Sequence, residues 1–143
     1  MATRVDFRRL DSEDKLRVVC EEVERLYESG RRVYVYVRSE EQCHNLDKLL
    51  WTFSQPSFIP HRMWDGESPA GMEPVLTGTV AARPPQCNVL VAADPPPLSL
   101  AAQFDEVVDF AETHNPAARS ASRRRYAEYR NAGMEMYYHG EKK

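Results

Sequence analysis

The spacing of apolar residues along the chain switches repeatedly between the two-residue period of a strand and the 3.6-residue period of a helix. Val5 to Leu10 predicts an opening strand, after which Asp11 and Ser12 offer an N-cap for a helix that runs to Ser29 and stops at Gly30. The apolar positions of this helix recur at helical spacing: Leu16, Val19, Cys20, Val23, Leu26 and Tyr27. The pattern therefore predicts a strand followed by an amphipathic helix.

A second strand and a second helix follow in the same way. The run Val33 to Val37 is β-branched and aromatic on both faces, which is typical of a central strand covered on both sides. Ser39 predicts the cap of a second helix that extends to about Trp51. The residues expected on the inner side of this helix are Leu46, Leu49 and Leu50.

Between Pro56 and Pro97 the pattern changes, because nine of the ten prolines and three of the six glycines lie there. Regular helix is not expected in such a segment. Within it, Glu73 to Leu76 predicts a short strand and Asn88 to Ala93 predicts a buried one.

The remainder of the chain predicts one more strand and one more helix. Val107 to Phe110 is the strand, and the last helix is expected from about residue 116 to 132. Pro116 suits its first turn and Gly133 its end. Residues 134–143 carry no pattern from which an element is predicted.

Alternation of strands and helices predicts one three-layer α/β domain over residues 1–143, with a mainly parallel central sheet. Parallel sheets frequently bind nucleotides at the turn after the first strand. Here that turn, residues 10–14, contains no glycine, and no GxxxxGK[ST] motif occurs anywhere. We therefore predict that the domain has no nucleotide-binding loop and takes no cofactor.

The composition, with 42% hydrophobic and 29% charged residues, is that of a soluble globular protein. No apolar run approaches the ~20 residues that span a bilayer, so a cytoplasmic protein without a membrane partner is expected. The three cysteines, Cys20, Cys43 and Cys87, form no CxxC pair and are expected to be buried, reduced thiols. The histidines show no metal-ligand spacing, and no metal site is predicted.

The net charge of −3 conceals a basic segment, since residues 116–130 contain five arginines and one glutamate. At 100° per helical residue, Arg119, Arg123, Tyr126 and Arg130 fall within about 60° of one another. Guanidinium groups around an aromatic ring suit a carboxylate that is carried next to an apolar group. The sequence contains no catalytic motif that is as well defined as this basic face. We therefore expect a protein that binds an acidic partner rather than an enzyme.

The opposite face of this helix is expected to dock on the body of the domain through Ala118, Ala121, Tyr129 and Ala132. Arg125 falls on that inner face, where an unpaired charge is costly. We therefore expect it to pair with one of three carboxylates: Asp105, Glu106 or Asp109.

Aromatic residues also cluster between Phe53 and Trp64, in a turn-rich segment. Two interpretations stay open for this cluster. Trp51 and Phe58 cover one end of the sheet, or they form an exposed apolar patch for a protein partner.

Four segments, in the order of the chain, resemble the chi subunit of the bacterial DNA polymerase III holoenzyme, an accessory protein of the clamp loader. They are Leu46-Asp47-x-x-Leu50-Trp51, Ser57-Phe58-Ile59-Pro60-His61, Phe104-x-Glu106-Val-Val-Asp-Phe110 and Arg123-x-Arg125-Tyr126-x-x-Tyr129-Arg130-x-Ala132-Gly133. The resemblance implies a Rossmann-like α/β fold without a nucleotide site.

The resemblance also implies a function, which is to bind the acidic C-terminal tail of single-stranded DNA-binding protein (SSB). That tail ends in a phenylalanine with a free carboxylate. By the resemblance, Arg123 takes the terminal carboxylate, Arg119 the upstream acidic residues and Tyr126 the wall of the phenylalanine pocket, with Arg130 on the same basic face. DNA is then met only indirectly, through SSB.

A second interface implied by the resemblance holds the psi subunit, which bridges chi to the clamp loader. The matching residues here are Trp51, Phe58 and Pro60. Helicase-type partners are expected to use the same surface.

Two alternatives remain to a non-catalytic protein that links SSB to the clamp loader. One is direct binding of single-stranded nucleic acid by arginines interleaved with Tyr126 and Tyr129. The other is an enzyme acting on a small anionic substrate at the arginine cluster, with Glu128, His114 or His139 as its general acid or base.

Overall fold

The computed structural model describes residues 2–52, 58–67 and 72–140. The described residues form seven strands and four helices. The strands are β1 (Arg4–Leu10), β2 (Val33–Tyr36), β3 (His61–Met63), β4 (Val75–Gly78), β5 (Val89–Ala92), β6 (Glu106–Glu112) and β7 (Glu135–His139). The helices are α1 (Lys15–Glu28), α2 (Glu40–Thr52), α3 (Leu98–Ala101) and α4 (Pro116–Asn131).

All seven strands join one sheet in the order β3-β4-β2-β5-β6-β1-β7, and every pairing in it is parallel. Side chains of α1 and α2 complete the apolar core on one face, and those of α3 and α4 complete it on the other. The predicted three-layer, Rossmann-like α/β fold with a mainly parallel sheet is therefore confirmed. None of the helices in the described ranges is long and apolar enough to cross a membrane.

Helix α1 buries the stripe that its sequence predicts, namely Val19, Cys20, Val23 and Leu26, and Gly30 follows it with φ +86°. The predicted start was wrong, because the helix begins at Lys15 with Asp14 as its N-cap. Asp11 is instead paired with Arg9 (Oδ1–Nε 2.8 Å), and the Ser12 hydroxyl accepts a hydrogen bond from the Asp14 N–H. Both proposed caps are thus used in the turn that precedes the helix.

Helix α2 follows its prediction closely. The Ser39 hydroxyl accepts a hydrogen bond from the Gln42 N–H at 3.2 Å, and Leu46 and Leu50 are buried while Leu49 is half-buried against the same core. The three cysteines, Cys20, Cys43 and Cys87, are buried free thiols that form no disulfide, as expected. Burial raises the pKa of Cys20 and of Cys87 to about 12, so these thiols stay neutral.

Strands β3 and β7 were not predicted. Each lies at an edge of the sheet, pairs on one side only, and is largely exposed. The expected strand at residues 73–76 begins at Val75 instead, and the expected strand at residues 107–110 is longer by one residue before it and two after it. Phe53 to Ser57, within the aromatic cluster, lie outside the described residues.

Candidate functional site

Helix α4 is held on the sheet by a buried polar network. Its N-cap, Asn115, accepts a hydrogen bond from the Ala118 N–H at 2.8 Å. Farther along the helix, Arg125 Nε lies 3.1 Å from Asp109 Oδ2 on β6, and the Tyr129 hydroxyl donates to the same oxygen at 2.7 Å. Of the three carboxylates proposed for Arg125, the structure therefore selects Asp109.

This network is almost entirely out of water, since the side chains of Asp109 and Arg125 are 1% and 10% exposed. Burial by itself lowers the pKa of Arg125, but the charge of Asp109 outweighs it and the net pKa is raised. Burial and then the same carboxylate raise the pKa of Tyr129. Arg125 is thus a structural cation that is not available to a ligand.

The inner face of α4 differs from its prediction at one end. Ser122, Arg125 and Tyr129 are buried and Ala118 and Ala121 are half-buried, but Ala132 is exposed. The reason is that the helix ends at Asn131, and Gly133, with φ +86°, turns the chain toward β7.

A cleft of about 300 Å³ opens between α4 and the carboxyl ends of the neighbouring strands. We call it the α4 pocket. Helix α4 contributes Arg119, Ser122, Arg123 and Tyr126 to its lining, and the sheet side contributes Phe7, Ala111, Glu112, Thr113 and Tyr138. It combines an aromatic interior with cations along the helix.

Three of the four residues of the predicted basic face meet in the α4 pocket: Arg119, Arg123 and Tyr126. The Arg119 guanidinium donates to the carbonyl of Thr113 at 3.1 Å, which fixes its position without neutralising its charge. Within the described part of the chain, Arg123 makes no hydrogen bond or ion pair. Arg130 does not line the pocket, because it lies about two turns beyond Arg123 on the helix.

Aromatic rings form the interior of the α4 pocket. Phe7 on β1 is 1% exposed, and its ring meets Tyr126 edge to face with centroids 5.5 Å apart. Tyr138 on β7 pairs in register with Phe7 and is 53% exposed, so about half of this residue's surface remains accessible to a ligand. Edge-on aromatic walls of this kind accept a further ring favourably.

Phe7 and Tyr138 are lining residues that the sequence analysis missed. Tyr138 enters the pocket because β7 pairs with β1, and that pairing was not predicted. The signal that was available is a two-residue alternation in β7, in which Met136 and Tyr138 share a face and Tyr137 takes the other. This signal is short and lies in a polar setting.

The wall that β7 provides is held by a buried carboxylate. Asp6 on β1 accepts hydrogen bonds from Arg4 Nη2 at 3.0 Å and from His139 Nε2 at 2.7 Å. Burial by itself raises the pKa of Asp6, but the hydrogen bonds from Arg4 and His139 bring it down to about 2. The ionised Asp6 thereby ties β7 to β1 next to Tyr138.

Glu112 is the one acidic residue among the lining residues of the α4 pocket. Its Oε2 lies 3.0 Å from Lys15 Nζ and 3.8 Å from Arg125 Nη2. The pocket therefore presents the charges of Arg119 and Arg123 to an incoming ligand without an unopposed carboxylate.

The side chains named as a possible general acid or base lie elsewhere. The lining of the α4 pocket does not include Glu128, His114 or His139. His139 is hydrogen-bonded to Asp6 instead. Among the described residues there is no group of three or more histidine, cysteine, aspartate or glutamate side chains that could hold a metal ion.

Trp51 and Phe58 form an exposed pair at the other edge of the sheet. Their side chains are 54% and 62% exposed, with ring centroids 5.4 Å apart, and the Trp51 ring lies 4.6 Å from that of His61 at the start of β3. Pro60 beside them is half-buried. Of the two interpretations left open, the structure favours the exposed apolar patch.

Comparison with solved structures agrees with this architecture. The C-terminal domain of Saccharomyces cerevisiae Dbp5, solved with Gle1, matches with a TM-score of 0.63 and 16% identity, over 98% of this chain and 90% of that one. A longer Dbp5 chain bound to RNA and ADP BeF3 matches with the same TM-score and 14% identity, and this chain spans 41% of it. At these identities the likeness shows the fold alone.

The family model of the DNA polymerase III chi subunit, HolC, matches residues 2–137. The DNA polymerase III subunit chi of Escherichia coli is 32% identical over 120 residues, covering 83% of this chain and 80% of that protein. The subunit chi of Pseudomonas aeruginosa is 29% identical over 140 residues, covering 96% of each. This chain therefore belongs to the DNA polymerase III chi subunit family, an accessory subunit of replication.

Proposed function

We propose that the protein docks the acidic C-terminal tail of SSB in the α4 pocket and links SSB to the clamp-loader complex, without catalysing a reaction. The observation that carries this proposal is the meeting of two available guanidinium groups, Arg119 and Arg123, with an aromatic interior in one cleft of about 300 Å³. Such a cleft matches a peptide that ends in an apolar ring and a free carboxylate.

In the proposed complex the terminal phenylalanine ring enters between Tyr126 and Tyr138, above Phe7. Arg123, which has no partner in the described part of the chain, receives the terminal carboxylate. Arg119, anchored on the Thr113 carbonyl at the start of α4, faces the acidic residues that precede the phenylalanine. The dipole of α4 favours a negative charge near this helix start as well.

One tail is expected to bind weakly, with a Kd of about 1 µM or −8 kcal/mol, because a short flexible peptide loses entropy when it is ordered. SSB presents several tails, so two or more engaged chi subunits would act by avidity. Because each single contact is weak, the protein can release one SSB tail and bind another along the SSB-coated template.

Fluorescence anisotropy of a labelled SSB C-terminal peptide, titrated with the full chain, tests the proposal. A peptide that lacks only the terminal phenylalanine is the control. Saturable micromolar binding of the first peptide alone supports the tail pocket. Equal binding of both peptides, or no binding at low salt, contradicts it.

The competing nucleic-acid module makes a different prediction for the same helix. A labelled oligonucleotide would bind without SSB, and Arg123→Ala would weaken that binding. This measurement, run beside the peptide titration, separates the two functions of α4.

For the link to the clamp loader we propose that the patch of Trp51, Phe58 and Pro60 binds the psi subunit. Its support is the paired exposure of two large aromatic side chains, which is unusual at a surface that meets only water. Trp51→Ala should abolish co-purification of psi and change the free energy of unfolding by less than about 1 kcal/mol. The control is Leu98→Ala, an exposed apolar residue on α3, which should leave psi binding intact.

A further inference from the structure

We propose that the chain carries a second anion-binding site, specific for a phosphate group, at the amino ends of β2 and β5. This arginine cleft is a depression of about 280 Å³, and its arginines are Arg31, Arg32 and Arg83. The α4 pocket lies at the carboxyl ends of the strands. The two sites therefore lie at opposite ends of the strands and share no lining residue.

The charges in the arginine cleft are incompletely balanced. Arg31 Nη2 lies 2.8 Å from Glu106 Oε1 and is thereby paired. Arg32 and Arg83 have no carboxylate within ion-pair distance among the described residues. The chain has 22 acidic residues and 19 lysines and arginines, so carboxylates are plentiful enough to pair with every cation. Two guanidinium groups in one cleft without a carboxylate partner are therefore not explained by a shortage of acidic residues. Like charges repel, and an oxyanion between them would relieve that repulsion.

Arg83 is also held in place before any ligand arrives. Its Nη1 lies 3.1 Å from the carbonyl oxygen of Pro85 and 3.0 Å from that of Cys87, in the loop that leads into β5. These carbonyls orient the guanidinium and leave its net charge intact. Because the side chain is already ordered, less rotamer entropy is lost on binding.

Arg32 is fixed through its backbone and its side chain. Its carbonyl accepts hydrogen bonds from the N–H groups of Asn88 and Val89, each at 3.3 Å, and its Nη1 donates to the carbonyl of Met72 at 3.2 Å. The first contacts join the start of β2 to the start of β5. The two unpaired arginines therefore lie directly before β2 (Arg32) and in the loop that leads into its neighbour β5 (Arg83).

The remaining lining favours an oxyanion over other ligands. Gln86 and Asn88 add amide groups, and none of the described lining residues is aromatic or a large aliphatic side chain. A base or an apolar side chain would find no surface to stack on. Two guanidinium forks can both engage one phosphate, which offers more oxygens than a carboxylate. The phosphate is either a free ion or the phosphodiester of a single strand.

The test is a ¹H–¹⁵N correlation titration of the full chain with sodium phosphate, with sodium chloride at matched ionic strength as the blank. We expect saturable shifts at the amides of Gly30, Gln86 and Asn88, with a Kd on the order of 1–10 mM. Arg32→Gln with Arg83→Gln should raise that Kd at least tenfold. Arg38→Gln, at an exposed arginine beyond the other end of β2, removes one charge as Arg32→Gln alone does, and this control should not change the Kd.

An oligothymidylate distinguishes the two sources of phosphate. If the oligothymidylate shifts the same amides, and if these shifts are lost in the double variant but kept in Arg123→Ala, the ligand is the phosphodiester. If only sodium phosphate shifts these amides, the ligand is the free phosphate ion. Arg32→Gln alone keeps the loop contacts of Arg83 and serves if the double variant does not fold. Shifts spread over the whole surface, or unchanged in the variants, overturn the proposal. So does tighter binding of a polyglutamate peptide than of phosphate at these amides.

Discussion

Lys15 Nζ lies 3.0 Å from Glu112 Oε2, so a cation at the start of α1 offsets the one carboxylate that lines the α4 pocket. The two residues are 97 positions apart in sequence, and the sheet brings them together. An acidic ligand would otherwise meet a negative charge beside Arg123.

Lys15→Gln should weaken SSB-peptide binding about threefold to tenfold, since it exposes the charge of Glu112 to the ligand. The double variant Lys15→Gln with Glu112→Gln should regain most of the lost affinity. Anisotropy with the labelled peptide measures both. An unchanged Kd in the single variant would remove Glu112 from the binding surface.

Arg123→Ala should reduce peptide affinity by about 2–3 kcal/mol, because it leaves the terminal carboxylate without its partner. The matched control is Arg124→Ala, which removes the same charge from the next position, outside the pocket lining. The Kd of Arg123→Ala should also depend less on salt concentration than the Kd of the unmodified chain. A loss of less than tenfold, or an equal loss in both variants, would contradict the role of Arg123.

Tyr138→Ala should weaken peptide binding about fivefold, because one aromatic contact is worth about 1 kcal/mol. Tyr137→Ala provides the control, since Tyr137 is on the opposite face of β7 and lies under the Arg4 guanidinium, 4.2 Å from the ring centroid. Both residues are exposed, so thermal unfolding should change little in either. Equal affinities in the two variants would exclude β7 from the pocket.

Asp109→Ala should lower the free energy of unfolding by about 3–5 kcal/mol, since it leaves the Arg125 charge and the Tyr129 hydroxyl buried without their acceptor. The double variant Asp109→Leu with Arg125→Met should be clearly more stable than Asp109→Ala. Urea unfolding gives both values. A double variant that is no more stable than Asp109→Ala would contradict this explanation, because the unpaired charge of Arg125 would then not be the cause of the loss.

Stability should fall in acid through Asp6. Its pKa is about 2 in the folded chain, against an ordinary value of 3.8. Because the folded pKa is the lower one, the stabilisation is complete above about pH 4 and is lost as the pH falls toward 2, amounting to about 2 kcal/mol. Urea unfolding at pH 5 and pH 2.5 should show a smaller loss for Asp6→Asn than for the unmodified chain. Parallel losses would contradict the assignment.

Much of the fold could be predicted because its interior elements carry strong periodic patterns. The apolar stripe of α1 fits only a helix that is buried on one side, and the apolar run of β2 fits only a strand that is covered on both faces. Both elements were predicted to within a few residues. The edge strands β3 and β7 were missed since each is short and pairs on one side. What fixes them is a neighbour distant in the chain: Val75 opposite His61, and Phe7 opposite Tyr138.

The candidate site divides along the same line. Arg119, Arg123 and Tyr126 lie on one helix, so helical spacing was enough to group them. The placement of Arg125 inward, against a carboxylate of β6, followed from its position on the opposite face. Phe7, Glu112 and Tyr138 come from three different strands, and only their tertiary pairing shows that they share the pocket.

The two proposed binding surfaces lie toward opposite edges of the parallel sheet, and this arrangement has a mechanical consequence. The α4 pocket lies at the carboxyl end of β6, and the Trp51 patch lies at the amino end of β3. Tension between partners bound at these two places would run across the sheet as well as along it, because β3 is an edge strand and β6 lies four strand positions away. Every strand pair between the two surfaces would then carry the load through several hydrogen bonds and through the buried apolar contacts on both faces of the sheet. A subunit joined in this way should let go of its peptide before its own fold yields.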